Sequence, residues 1–319
     1  MAANEIETLS PGLQKTFYAL SLDPIHVGTG GSRLGRVDNM IVRDAGTNLP
    51  KIPGTSIAGV ARACTAMKVT IEGNQNKFPN CAGKGGAGGD NHCGDKENCP
   101  VCATYGYSKG GEKLSFQGLA QFYDARILFF PVYTMYGPRW ITSRSILEDA
   151  GFTVEAPGLE DNQVAYHENA QTTPNDINIG WLMMKKCDDK PLKFTNTPDD
   201  YGPISQEDEL KSILKHLVLV PNDLIHILVN DNLEVRTSVS INPATGAAES
   251  GALFDYEAIP RATVFWFDVF CNKPEFFGIR KPVTWVMGNV EDGLAYLRWL
   301  GIGAMNTRGM GRMKILNFE

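Results

Sequence analysis

Residues 263–271 read TVFWFDVFC, residues 290–300 read VEDGLAYLRWL and residues 313–318 read MKILNF, so a strand, a helix and a strand follow one another. β-Branched and aromatic residues dominate the first run, which suits a pleated, buried surface. In the second, Leu294, Leu297 and Leu300 recur at helical spacing and are expected to face inward, with Gly301 ending the helix. The same order stands nearer the amino end. Residues 16–22 and 39–43 read as strands. Residues 55–68 read as a helix, introduced by Pro53-Gly54, capped by Thr55 or Ser56, with Ile57, Val60, Ala61 and Cys64 on one face. Residues 119–123 and 126–133 read as further strands. The result is an α+β chain with a β-α-β-β-α-β core of ferredoxin-like or RNA-recognition type, expected as a single domain over residues 1–319.

Three long insertions interrupt that core. Residues 69–116 carry four clustered cysteines, Cys81, Cys93, Cys99 and Cys102, the last two in Cys-Pro-Val-Cys. Four thiolates at this spacing, in a chain without a secretory layout, read as a closed tetrahedral zinc site and not as disulfides, with His92 an alternative to Cys93. Residues 148–215 are polar and acidic with no sustained period, and are expected to form a surface lobe or partner contact and no part of the core. Residues 233–260 read as two strands around Asn242-Pro243-Ala244-Thr245-Gly246, a projecting hairpin.

Chemistry is expected at Asp38. It ends the run Gly28-Thr29-Gly30-Gly31-Ser32-Arg33-Leu34-Gly35-Arg36-Val37-Asp38-Asn39. Glycines let backbone N–H groups approach a phosphate, Arg33 and Arg36 oppose its charge, and a carboxylate beside it can bind a metal or handle a proton. A second glycine-rich loop, residues 301–312 (GIGAMNTRGMGR), repeats the composition with Arg308 and Arg312. It follows a helix and precedes a strand, the reverse of a dinucleotide fingerprint. Arg308 and Arg312 are expected on phosphates; pairing with acidic segments of a neighbouring subunit is the alternative.

A chain of 319 residues, 43% hydrophobic and 21% charged, can bury a full core. Its net charge of −6 argues against a wholly basic nucleic-acid binder but leaves room for a few local phosphate contacts. No apolar stretch approaches the roughly 20 residues that span a bilayer, so no membrane is expected as a partner and the chain is read as cytoplasmic.

The phrases Pro24-Ile25-His26-Val27-Gly28-Thr29-Gly30, Val37-Asp38-Asn39-Met40-Ile41-Val42-Arg43 and Ile52-Pro53-Gly54-Thr55-Ser56-Ile57-Ala58-Gly59 resemble the repeat-associated (RAMP) backbone subunits of type III CRISPR effector complexes. Pro131-Val132-Tyr133 with Arg139-Trp140-Ile141-Thr142-Ser143, and Gly251-Ala252-Leu253-Phe254 with Glu257 and Pro260, look most like the III-B kind. The resemblance implies a guide-RNA-holding palm, a thumb hairpin and an endoribonuclease that cuts complementary target RNA at regular intervals. Asp38 is implied as the cutting residue, helped by Mg2+ or Mn2+, with His26 and Glu257 as assistants. His26 as a packed core residue and Glu257 as a salt-bridge partner are the alternatives. Arg33, Arg36, Ser56, Arg62, Arg236, Thr307, Arg308 and Arg312 are implied on RNA. Guide RNA (crRNA), target RNA, copies of the chain and other subunits of the complex are the implied partners. The chain departs from the family at Ala58, where a lysine is common, and in its cysteine cluster, which is not universal. Two other readings stand at this point: a catalytically silent guide-binding subunit and a metal-independent guide-processing ribonuclease.

Overall fold

Val264, Phe265, Phe267 and Val269 of the TVFWFDVFC run are buried in an interior strand of the main sheet. The computed structural model describes residues 10–30, 37–73, 76–83, 92–108, 115–188, 190–249 and 253–318. The elements that position the site are, in chain order, β1 (Gly12–Ser21), α1 (Gly54–Gly73), α2 (Pro100–Tyr105), β2 (Ala125–Thr134), β3 (Gly137–Thr142), α3 (Asn222–Asp231), β4 (Glu234–Ser238), β5 (Phe254–Ala258), β6 (Val264–Asn272), α4 (Val283–Ala295) and β7 (Met313–Ile315). β6 pairs antiparallel with β1, from Gly12–Asn272 to Leu20–Val264, and with β2 on its other side. β7 lies beyond β1, giving the order β7-β1-β6-β2. α1 stands between β1 and β2 in the chain and α4 between β6 and β7.

The two helices pack on each other where Gly293 removes a side chain. A Cβ there would stand 2.4 Å from the Ala61 carbonyl oxygen, so only glycine allows this approach. Thr65 Oγ1 donates to the Asn289 carbonyl across the same contact at 3.0 Å. α4 begins earlier than its leucines predict, right after Pro282, whose fixed φ suits a helix start. The chain breaks at Tyr296 before a short helix, Leu297–Leu300. Leu294 and Leu297 are buried as expected, but Leu300, at the exposed end of the short helix, is not.

Both faces of β1 are covered. Phe17 stacks on Phe267 at 5.5 Å, and Tyr18, on the opposite face, meets Tyr201 edge to face at 5.4 Å. Tyr201 belongs to the segment expected as a surface lobe. That expectation is corrected: beyond β2 and β3 the sheet continues through Leu217–Leu219, Gln163–Tyr166, Leu182–Lys186 and Asp176–Ile179. Val164, Ile177, Ile179, Met184 and Leu210 are buried there. Strands of three to five residues are too short to show a period and, the hairpin of 176–179 with 182–186 apart, they pair with partners distant in sequence. Residues 39–43 also differ from expectation, making only isolated bridges.

β4 and β5 form a separate two-stranded sheet, from Glu234–Ala258 to Ser238–Phe254. Further out, Ile241 bridges Ala248 and the Gly246 amide donates to the Asn242 carbonyl at 2.8 Å, closing the turn.

Candidate nucleic-acid interface

Asp38 stands against the root of this hairpin. Its Oδ2 accepts from the Asp255 amide at 2.9 Å, the Asn39 amide donates to the Asp255 carbonyl at 3.0 Å, and the Glu257 amide donates to the Asn39 carbonyl at 3.0 Å. The backbone after the glycine-rich run is thus laced to β5. The carboxylate is exposed, and its second oxygen has no hydrogen-bond partner among the described residues. Gly31 to Arg36, including Arg33 and Arg36, lie outside the described residues.

Glu257, two residues along β5, is 3% exposed. Its Oε2 accepts from Arg43 Nη2 at 2.8 Å and from the Ile41 amide at 3.4 Å. Arg43 Nε in turn donates to Asn230 Oδ1 on α3 at 2.7 Å. This closed chain of polar contacts locks the 39–43 segment between the hairpin and α3. A buried charge of this kind needs its partner. Arg43 is a residue that sequence reading passed over; its one local signal is a cation in an otherwise apolar run.

His26 is 4% exposed, and its Nδ1 lies 2.5 Å from the Glu257 carbonyl oxygen, which fixes Nδ1 as the protonated nitrogen. The C-terminal glycine-rich loop passes directly beneath. The Ala304 amide donates to the His26 carbonyl at 2.9 Å, and a Cβ on Gly303, at φ +86°, would stand 2.3 Å from that carbonyl. Both expected assistants of Asp38 are therefore buried and engaged in attaching the hairpin and loop.

The expected RNA contacts divide. Thr307 and Arg308 are exposed, and Arg308 has no ion pair among the described residues. Arg312 is bound to Asp23, with Nε–Oδ2 at 2.6 Å and Nη2–Oδ1 at 3.1 Å. Those hydrogen bonds hold the Asp23 carboxyl below the usual carboxylate range. Arg236 pairs with Glu234 on its own strand. Ser56 is half-buried in the first turn of α1, whose opening Gly54 amide donates to Asp124 Oδ1 at 2.8 Å. Arg62 is turned elsewhere: its Nε donates to the Cys81 carbonyl at 2.8 Å and its Nη2 lies 3.4 Å from His92 Nδ1.

Arg62 leads to the cysteine cluster. The Sγ atoms of Cys81, Cys93, Cys99 and Cys102 lie within 4.8 Å of one another, and none is in a disulfide. Cys93–Cys102 and Cys102–Cys81 are 3.6 and 3.8 Å apart. A tetrahedron with metal–sulfur bonds of about 2.3 Å has edges of about 3.8 Å, so four thiolates arranged this way fit a metal ion. Cys99 caps α2, which also positions Cys102 one turn on. His92 is buried beside Arg62 and outside this four-sulfur set.

No helix among the described residues is long and apolar enough to cross a membrane. Compared with known proteins, the chain is 27% identical over 307 residues to the CRISPR system Cmr endoribonuclease Cmr4 of Pyrococcus furiosus, covering 92% of each. In fold it is similar to a type III-B Cmr-beta complex in the apo state, with a TM-score of 0.62 at 14% identity over 95% of this chain and 96% of that one. It is similar also to the crystal structure of oligomeric Cmr4 from Pyrococcus furiosus, with a TM-score of 0.56 at 20% identity over 95% and 96% of the two chains. At such identities the structural likeness speaks for the fold alone. The RAMP superfamily profile matches residues 20–314, nearly the whole chain with both glycine-rich loops, the cysteine cluster and the hairpin, and the chain therefore belongs to the RAMP superfamily.

Proposed function

We propose that this chain is a backbone subunit of a type III CRISPR RNA-guided complex, of the III-B kind, that holds guide RNA and cuts complementary target RNA at regular intervals. The β7-β1-β6-β2 sheet with α1 and α4 serves as a ferredoxin-like palm, and the β4–β5 hairpin as the thumb. The cysteine cluster is a structural zinc site. Copies of the chain and other subunits stack along the guide, in the cytoplasm, as part of antiviral defence.

The observation that carries this reading is Asp38, an exposed carboxylate fixed through one oxygen to the hairpin root with the other oxygen unengaged by the described residues. One such oxygen suits a magnesium or manganese ion, which keeps most of its shell for water and substrate phosphate. Held by Asp38, such a cation would neutralise charge at the scissile phosphate. With RNA as substrate the ribose 2′-OH attacks its neighbouring phosphate, leaving a cyclic phosphate and a 5′-hydroxyl. The chain then has to hold that geometry and oppose the developing charge. Asp38, itself an anion, would act at the reacting atoms by taking the 2′-OH proton or by holding the cation that opposes the developing charge, with water returning a proton to the 5′-oxygen, while His26, Glu257 and Arg43 keep the hairpin root in place. Sequence choice belongs to base pairing between guide and target.

The test is Asp38→Ala in the assembled complex, with end-labelled target RNA. Wild type should give evenly spaced products that need a divalent cation, and the variant none, with target binding retained. Cutting by the variant at the same positions and rate would refute the assignment. Cutting of a guide precursor by the isolated chain in chelator would favour guide processing instead.

A further inference from the structure

Trp299 stands near the end of the short helix Leu297–Leu300 and is 64% exposed. Tyr296 holds one edge of its indole, with ring centroids 6.0 Å apart at 74°, and the Arg298 guanidinium lies 5.9 Å from the ring centroid. The C-terminal glycine-rich loop folds back beside it. Asn306 Nδ2 donates to the Leu300 carbonyl at 2.7 Å, which brings the turn Asn306–Arg308 against this helix end. Met305 enters that turn at φ +64°, a left-handed conformation that a non-glycine side chain rarely adopts. Arg298, Thr307 and Arg308 are all exposed. Neither Arg298 nor Arg308 has an ion pair among the described residues, in contrast to Arg312, which Asp23 neutralises.

A single exposed apolar residue needs no explanation. An exposed indole with an uncompensated guanidinium at its ring and a second, Arg308, in the turn held against the same helix end, on a chain of net charge −6, is a different case. Single-stranded nucleic acid is bound by that combination, an aromatic face for a base and cations for the adjoining phosphates. We propose that Trp299 stacks on an unpaired base of the bound guide RNA, with Arg298 and Arg308 opposing the phosphates to either side. This rests on the guide-binding reading above and adds to it a base-stacking subsite that works for any sequence, since every base has a π-face.

The experiment measures binding of the full chain to short labelled single-stranded RNAs of two unrelated sequences, and to the same backbones carrying abasic residues. Trp299→Ala should weaken binding to both intact RNAs roughly tenfold, the effect of losing one stacked base, and Trp299→Phe should keep most of the affinity. On the abasic RNAs Trp299→Ala and wild type should bind alike. Arg308→Ala should instead lower the salt dependence by about one phosphate contact, which Trp299→Ala leaves unchanged. Thermal unfolding of each variant checks that the fold is intact. Wild-type affinity of Trp299→Ala for intact RNA would overturn the proposal, as would an equal loss on intact and abasic RNA. Lost self-association with RNA binding untouched would reassign the surface to a protein contact. If the wild-type chain binds none of these RNAs, the guide-binding reading itself fails, a result distinct from an unaffected Trp299→Ala.

Discussion

Asp38 braces strand β5 from the preceding segment and Glu257 stands within it, and only Asp38 is exposed. Both are carboxylates and both help hold the hairpin root, Asp38 through the Asp255 amide of β5 and Glu257 through Ile41 and Arg43. Asp38 is exposed and ties down one oxygen; Glu257 is buried and ion-paired with Arg43. Removing water and supplying a cation turns a carboxylate into a structural fixture, whereas exposure leaves it open to a ligand. Residue type alone does not distinguish the two.

The largest expected change lies away from both, at the cysteine cluster. The purified chain should hold about one zinc ion, and Cys99→Ser with Cys102→Ser should lose it, as read by elemental analysis. Because Arg62 ties α1 to Cys81, the same variant should unfold at lower temperature, yet Asp38 keeps its place. Metal-free protein from a chelator-free preparation would contradict the zinc assignment.

Next comes the contrast itself. Glu257→Ala leaves Arg43 uncompensated in a buried site and should cost about 3–5 kcal/mol in denaturant unfolding. Asp38→Ala removes one exposed hydrogen bond and should cost about 1 kcal/mol or less. Equal costs would erase the distinction drawn between the two carboxylates.

The smallest expected effect is at the second glycine-rich loop. Arg312→Ala removes a solvent-exposed ion pair and should change the unfolding midpoint least of all the variants named, because water and salt screen such a pair. Its partner Asp23 has a lowered carboxyl pKa, so this contribution is present above the unfolded-state value near 3.8 and is lost as the pH falls through the folded-state value. A difference between wild type and Arg312→Ala that persisted in acid would argue against the pair.

Much of this was legible locally. TVFWFDVFC announces a buried strand, and the turn residues 242–246 announce a hairpin. The cysteine spacing marks its cluster and the glycine run marks Asp38. What the sequence concealed is non-local. The Arg43–Glu257 pair joins residues 214 positions apart, and nothing near either names the other. Arg62 reads as a free helix cation until the cysteine insertion folds over it. The strands within 148–215 are only three to five residues long, so their burial depends on neighbours in the sheet and not on any period of their own. Leu300 follows the helical pattern of Leu294 and Leu297, yet it closes a short helix whose last three residues are exposed.

The most direct measurement sets the two carboxylates against each other in the chemistry. Assembled complexes carrying Asp38→Asn or Glu257→Gln would be compared for single-turnover target cleavage and for target affinity, both variants keeping side-chain size. Asp38→Asn should lower the cleavage rate at least about a hundredfold, the range of a lost acid–base or charge-stabilising group, with affinity unchanged. Glu257→Gln should still cut, at a rate within a few-fold of wild type wherever the complex assembles. Cleavage that survives Asp38→Asn but is abolished by Glu257→Gln in an intact, target-bound complex would contradict the account.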